Sequence, residues 1–142
     1  MSYQSHNFQL VFYFSSTLKT FHTGVVTSPN HPGNYPDSCG STATIQVEEG
    51  LVILLQFTAF KTEGCNDKLR ITDGDGTTLL GKACGSSLPA NIKSTSNVIE
   101  MFFKTDASKT KEGWSAGWTA VTPGEQTNSL ELAVLCLWFT KE

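Results

Sequence analysis

The chain lacks several features that particular partners and cofactors require. Its ten Lys and Arg residues, set against 13 Asp and Glu, form no basic run, so the sequence argues against a nucleic-acid partner. Its four cysteines include no C-x-x-C pair, and its three histidines are too scattered to complete a zinc-binding spacing. The cysteines are left with two roles: disulfides, which are typical of extracellular proteins, or buried thiols, which are typical of cytosolic ones.

No apolar run is long enough for a membrane span. The C-terminal segment SLELAVLCLWFTKE has only about ten apolar residues, interrupted by Glu131, against the ~20 that a spanning helix needs. We therefore predict a tail there and no membrane span in this chain. Residues 8–14 are apolar but follow no Lys or Arg, so the sequence leaves open whether they belong to a signal peptide.

The 142 residues suit one domain. In its middle, short segments of alternating apolar and polar residues are separated by Gly, Pro and Asn, and both flanks depart from this pattern. We predict a poorly defined N-terminal flank at residues 1–19, the folded domain at 20–122, and a C-terminal tail at 123–142.

The alternation predicts strands and no helix. Residues 51–57 are apolar on one face and nearly so on the other, which is typical of a strand inside a packed sheet. Residues 99–103 and 114–120 alternate with a period of two, which places Trp114 and Trp118 on one face, as core residues. The proline-rich stretch SPNHPGNYP (28–36) predicts an irregular, extended entry. The class is therefore all-β, an antiparallel sandwich or barrel.

The stretch KTEGCNDKLRITDG (61–74) concentrates the candidate chemistry. Its cysteine, set between carboxylates, is compatible with a disulfide, a metal site, a catalytic thiol or a plain turn. The DGDG segment (73–76) that ends it lacks the third acid and the closing Glu of an EF-hand loop, so we predict a β-turn.

A series of motifs then follows in one uninterrupted order, and together they resemble the CUB domain family. The motifs are GVVTSPNHPGNYP (24–36), Cys39, F-x-x-F-x-x-E (57–63), Cys65 with DKL and ITDG (67–74), LLGKACG (79–85), STSNVIEMFFKTD (94–106) and GWSAGW (113–118). The resemblance implies a jelly-roll-like β-sandwich of antiparallel strands and an extracellular or secreted location. It implies a non-catalytic module that binds other proteins and sometimes glycans.

The resemblance also implies site residues. It pairs Cys65 with Cys84 in a disulfide, and it assigns one Ca²⁺ to Glu63, Asp67 and Asp106 at one end of the domain. In calcium-type members of the family, a lysine or arginine of the protein ligand approaches these acids. The resemblance implies no catalytic residue and no organic cofactor.

Two departures from the family pattern concern the cysteines and the acidic end. FSSTL (14–18) stands where many members have C-G-G-T-L, so Cys39 is unpaired, pairs with Cys136, or meets another chain. The loop between Glu63 and Cys65 is also shorter than usual.

Two other functions stay open beside the calcium-stabilised binding module. One is an accessory fragment of an astacin- or tolloid-like metalloprotease, although this chain carries no H-E-x-x-H motif and no Ser-His-Asp set that we can place. The other is a calcium-independent glycan-binding module that resembles the spermadhesins.

Overall fold

The computed structural model describes residues 22–124, which form two antiparallel β-sheets packed face to face. The N-terminal flank, most of the predicted tail and Cys136 lie outside the described residues. The strands are β1 (Thr23–Thr27), β2 (Gly40–Gln46), β3 (Val52–Lys61), β4 (Lys68–Asp73), β5 (Thr78–Ala83), β6 (Ile92–Lys93), β7 (Val98–Lys104) and β8 (Gly113–Val121).

Each sheet has four strands, in the orders β1-β8-β3-β6 and β2-β7-β4-β5. The predicted all-β sandwich is confirmed, and β3 lies inside its sheet, as its apolar pattern predicted. Between residues 22 and 124 the structure has no helix, and therefore none long and apolar enough to cross a membrane.

The core lies between the sheets and is built from the alternating positions of both. On β8, Trp114 and Trp118 point inward and are only 2% and 6% exposed, which confirms their prediction as core residues. Phe103 of β7 makes edge-to-face contacts with Trp114, at 6.1 Å between ring centroids, and with Tyr35, at 5.1 Å. Such aromatic pairs add about 0.5–1.5 kcal/mol each beyond the area they bury.

The proline-rich segment runs from β1 to β2 without regular structure, as predicted, yet it is anchored at both ends. The Ser28 N–H donates to the Trp114 carbonyl at 2.9 Å, and the Trp114 N–H donates back to Ser28 Oγ at 2.9 Å. Tyr35 is buried, and its N–H donates to the Lys111 carbonyl at 3.0 Å. The segment therefore carries the Tyr35 ring into the end of the core.

The DGDG segment is a turn between β4 and β5, which confirms the prediction, but its first acid is not a solvated turn residue. Asp73 is 1% exposed. Its carboxylate accepts hydrogen bonds from the N–H and hydroxyl groups of Thr95 and Ser96 and from the Gly74 N–H. It thereby ties the end of β4 to the connection between β6 and β7.

These hydrogen bonds set the charge state of Asp73. Burial alone would raise the pKa of this carboxyl, but the donors of Ser96, Thr95 and Gly74 outweigh burial and lower the pKa to about 2. The unfolded chain titrates at about 3.9. Asp73 therefore stabilises the fold fully above about pH 4, and that contribution is lost as the pH falls through about 2.

We predict that Asp73→Asn lowers the free energy of unfolding at neutral pH by about 2–3 kcal/mol, because the substituted amide cannot accept all the hydrogen bonds. The deficit should shrink markedly near about pH 2, where wild-type Asp73 is itself becoming protonated. Urea denaturation at the two pH values measures both effects. Asp75→Asn, in the same turn but exposed, is the matched control, and an equal loss in the two variants would contradict the assignment.

Candidate functional site

The loop between β3 and β4 is fastened to the end of β5. Cys65 is bonded to Cys84, 19 positions later in the chain, which confirms the predicted disulfide. Beside it, the Thr62 N–H donates to the Gly85 carbonyl at 2.8 Å, and the Gly85 N–H donates to Thr62 Oγ1 at 2.9 Å. Closing a loop of this length stabilises a fold by roughly 3 kcal/mol in the chain-entropy description.

This loop delivers two acids to one end of the sandwich, and β7 delivers a third. Glu63 and Asp67 lie on the loop, and Asp106 lies two positions beyond the end of β7. One carboxylate oxygen from each of the three lies within 4.8 Å of the others. The structure thus brings together all three acids that the sequence singles out as metal ligands, although the shortened loop had put their geometry in question.

Asp67 is the centre of the cluster and is completely buried. Its Oδ2 accepts a hydrogen bond from the Tyr35 hydroxyl at 2.6 Å, and its Oδ1 accepts one from the Asp106 N–H at 2.8 Å. Thr62 Oγ1 donates to the Asp67 carbonyl at 3.2 Å, so the residue is held at its backbone as well. Each Asp67 oxygen therefore has one protein donor and keeps a lone pair for another partner.

Tyr35 belongs to the site, although the sequence pattern indicated the proline-rich stretch around it and not this residue. Its hydroxyl donates to Asp67 and accepts from the Glu63 N–H at 2.9 Å, so it bridges two of the acids. Burial and the hydrogen bond to the Asp67 carboxylate raise the pKa of this phenol well above its usual range, so it remains a donor. The sequence pointed to Tyr35 only through its position in GNYP, at the end of the motif GVVTSPNHPGNYP (24–36).

Glu63 carries the unsatisfied group of the site. Its Oε2 is buried and has no hydrogen-bond partner among the described residues. Its other oxygen, Oε1, lies 4.0 Å from Lys109 Nζ, on a side chain that is 78% exposed. A contact of that length and exposure contributes at most about 1 kcal/mol, so it does not balance the charge of the cluster.

The residues present fit a hard cation. Three converging carboxylates repel one another unless a cation or proton neutralises them, and a buried acceptor without a donor is costly. Carboxylate oxygens of this kind, completed by carbonyls and water, are what Ca²⁺ prefers. The arrangement can therefore bind a metal ion and can present negative charge at the end of the domain.

Cys39 is a free thiol among the described residues, half-buried just before β2. Its predicted alternative partner, Cys136, lies outside those residues. Burial raises the pKa of the Cys39 thiol, so the protonated, poorly nucleophilic form prevails near neutral pH.

GWSAG (113–117) spells the G-x-S-x-G pattern of hydrolase nucleophile elbows. That pattern is catalytic at a turn between a strand and a helix, and here it lies inside β8. Ser115 sits in the middle of the sheet, opposite Thr27 on one side and Ala59 on the other. The residues therefore match the sequence pattern, but they lack the turn that a nucleophile elbow requires.

Comparison with known proteins identifies the family. The CUB domain model matches residues 15–118. The chain belongs to the CUB domain family. Its fold, its disulfide and the order of its motifs follow that family, in which the CUB domain is a non-catalytic binding module.

The curated relatives that this chain matches are much longer chains. The chain is 38% identical to cubilin of Rattus norvegicus over 106 residues, which covers 72% of this chain and 3% of cubilin. It is 34% identical to neuropilin-1 of Homo sapiens over 111 residues, which covers 70% of this chain and 12% of neuropilin-1. The chain thus spans a small fraction of the relatives that it matches.

Solved structures agree with the sandwich described above. The MASP-1 CUB2 domain bound to Ca²⁺ matches with a TM-score of 0.63 at 33% identity, covering 68% of this chain and 90% of that domain. The full extracellular region of zebrafish Gpr126/Adgrg6 matches with a TM-score of 0.64 at 30% identity, covering 70% of this chain and 14% of that one. One similar domain therefore binds calcium, and another belongs to an extracellular region.

We predict that Tyr35→Phe destabilises the domain by about 1–3 kcal/mol, because it removes the donor to buried Asp67 and the acceptor of the Glu63 N–H without changing the ring. Thermal denaturation measures the loss. Thr58→Val, which removes one exposed hydroxyl hydrogen bond to the Ser115 carbonyl, is the control and should change stability by less than about 0.5 kcal/mol. Equal stability of Tyr35→Phe and wild type would show that the bridge is dispensable.

Proposed function

We propose that this CUB domain is an extracellular, calcium-stabilised binding module that mediates protein–protein contacts within a larger secreted or receptor protein. The observation that carries the proposal is the convergence of three carboxylates, of which Asp67 is fully buried and Glu63 Oε2 has no donor within residues 22–124. The Ca²⁺ in the similar MASP-1 CUB2 domain supports the same assignment. The module comprises residues 20–122, and the sequence on either side of it is flank and tail.

Glu63, Asp67 and Asp106 would hold the ion, which would supply the charge neutralisation that the cluster lacks. The protein's part is to arrange the ligands in advance. Tyr35 and the Asp106 N–H fix the Asp67 carboxylate, and the Ser108 N–H donates to Asp106 Oδ1 at 3.0 Å. Because donors already hold these oxygens, little side-chain entropy remains to be lost when a cation binds.

The partner that suits this site is a protein that offers a lysine or arginine side chain. Three carboxylates carry one more negative charge than a divalent ion neutralises, so the calcium-loaded site remains an acceptor for a cation. Lys109 of this chain already lies 4.0 Å from Glu63 Oε1, which supports the view that an ammonium group can reach the edge of the cluster. The contact lies at the surface, so it contributes more to specificity and association rate than to affinity.

We predict that calcium raises the melting temperature of the domain, because the acids come from separate parts of the chain and converge only when it is folded. At free calcium about 100 times the dissociation constant, the stabilisation is about 2.7 kcal/mol. For a domain of about 100 residues, each kcal/mol corresponds to about 4–8 °C. Scanning calorimetry in calcium and in chelator measures the shift.

Asp106→Asn should abolish most of the calcium-dependent shift, since it removes one ligand charge while keeping the size of the side chain. Asp75→Asn, an equal loss of charge at an exposed turn, should leave the shift intact. Identical wild-type melting curves in calcium and in chelator would rule out the calcium site.

We predict that an isolated lysine side chain binds weakly at this site in the presence of calcium. Adding N-acetyl-lysine amide should shift the backbone NMR signals of Glu63, Asp67 and Asp106, with millimolar affinity. The matched probe is N-acetyl-norleucine amide, which has a similar chain without the charge and should shift none of them. Equal shifts with both probes, or shifts confined to other residues, would refute recognition of a basic side chain here.

A further inference from the structure

A basic face occupies part of the outer side of the sheet β2-β7-β4-β5, although the sequence contains no basic run. We define the basic face as Lys68 and Arg70 on β4, Lys82 on β5, and Lys104 on β7, all of which are exposed. These four are close to half of the ten Lys and Arg residues of a chain whose net charge is −3. The four residues are distant in sequence and come together because β7, β4 and β5 are adjacent in the sheet.

Strand register places the four side chains together. Lys68 lies directly opposite Lys104, and Arg70 is two positions further along β4, on the same face. The intervening Leu69 points into the core and is opposite Ala83, which is also buried. The β4–β5 register shifts between Leu69 and Ile71, and Lys82, the residue before Ala83, is exposed beside this irregularity. Neighbouring strands are about 4.8 Å apart, and residues two apart on one strand are about 6.7 Å apart, so the cations form a close two-dimensional array.

The described part of the chain forms no ion pair with the basic face, although Glu100, opposite Thr72, lies further along β7 on the same outer side. Two ion pairs within residues 22–124 join Lys61 to Glu112 and Lys109 to Glu63, and neither includes a member of the basic face. Like charges directly opposite each other on neighbouring strands destabilise a sheet, so the Lys68–Lys104 pair costs folding stability. A surface that concentrates positive charge at such a cost is suited to an anionic partner.

Arg70 is held in place on this face. Its guanidinium carbon lies 4.6 Å from the centre of the Phe102 ring, which is directly opposite on β7. A stacked guanidinium keeps its planar fork of N–H donors directed outward and loses less freedom when it binds an oxyanion. The basic face therefore combines a guanidinium stacked on a ring with three exposed ammonium groups.

We propose that the basic face binds a sulfated polysaccharide. Sulfate groups are ionised at all physiological pH values and offer the oxygen acceptors that Arg and Lys donors match. A repeating chain of sulfates can satisfy an array of cations spread across three strands, where one phosphate or carboxylate could meet only part of it. This binding needs neither the acidic cluster nor calcium, so it is independent of the function proposed above.

Single-stranded nucleic acid fits this surface less well. Such ligands stack their bases on exposed aromatic rings, and the aromatic ring identified on this face, Phe102, is covered by Arg70. An acidic protein segment presents carboxylates at a lower charge density than a sulfated sugar chain. The charge of the basic face and the covered Phe102 ring thus favour the polysaccharide.

We expect the full chain to bind heparin, with an affinity that falls steeply as sodium chloride is added, because binding releases counterions. The double variant Lys68→Gln/Lys104→Gln should weaken this binding by at least about tenfold, since two charge-assisted contacts are lost. Arg70→Gln is a second, separate variant with the same expectation. Calorimetric titration, repeated with calcium and with chelator, measures the affinities.

The matched control is Lys61→Gln/Lys111→Gln, which removes the same charge from exposed residues outside the basic face and should weaken binding by less than about threefold. Melting temperatures test folding: removing the opposed Lys68 and Lys104 charges should leave the melting temperature equal to or slightly above that of wild type. Absence of heparin binding at low salt, or equal loss in the two double variants, would overturn the proposal. Equal affinity for unsulfated hyaluronan or for a single-stranded DNA oligonucleotide would also overturn it.

Discussion

The organisation of this domain's acidic end depends on one buried carboxylate. Asp67 has no exposed surface, and an unpaired charge in that position would cost several kcal/mol. It is accommodated because the Tyr35 hydroxyl comes from the segment between β1 and β2, while the Asp106 N–H comes from beyond β7. One charged group thereby brings three distant parts of the chain to the same place, and the requirement to satisfy it fixes how those parts meet.

The fold could be predicted from the sequence because its strands alternate clearly. Ile99, Met101 and Phe103 are all buried, and Glu100 and Phe102 between them face outward, as a period of two requires. The position of β3 inside its sheet followed from its apolar character on both faces. Asp73 was harder to place, because DGDG has the composition of any exposed turn. Only its contacts with Thr95 and Ser96, in the connection between β6 and β7, reveal that its first acid is buried.

The site was predictable in part. Glu63, Asp67 and Asp106 were recognised through the family motifs that contain them, since no local spacing links residue 63 with residue 106. Tyr35 escaped assignment because a tyrosine beside prolines looks like any loop aromatic. The basic face escaped for a related reason: Lys68 and Lys104 are neighbours only through strand pairing, and a search along the chain sees two isolated lysines. Properties that depend on register become visible only in three dimensions.

An incomplete chain cannot form both side-chain hydrogen bonds of Asp67. Its two side-chain partners are 32 and 39 positions away in the sequence, one before it and one after it. A fragment that ends before β7 has no Asp106, and one that begins after the proline-rich segment has no Tyr35. The acidic end therefore forms as described only in a chain that contains both the proline-rich segment and Asp106, folded so that both contact Asp67.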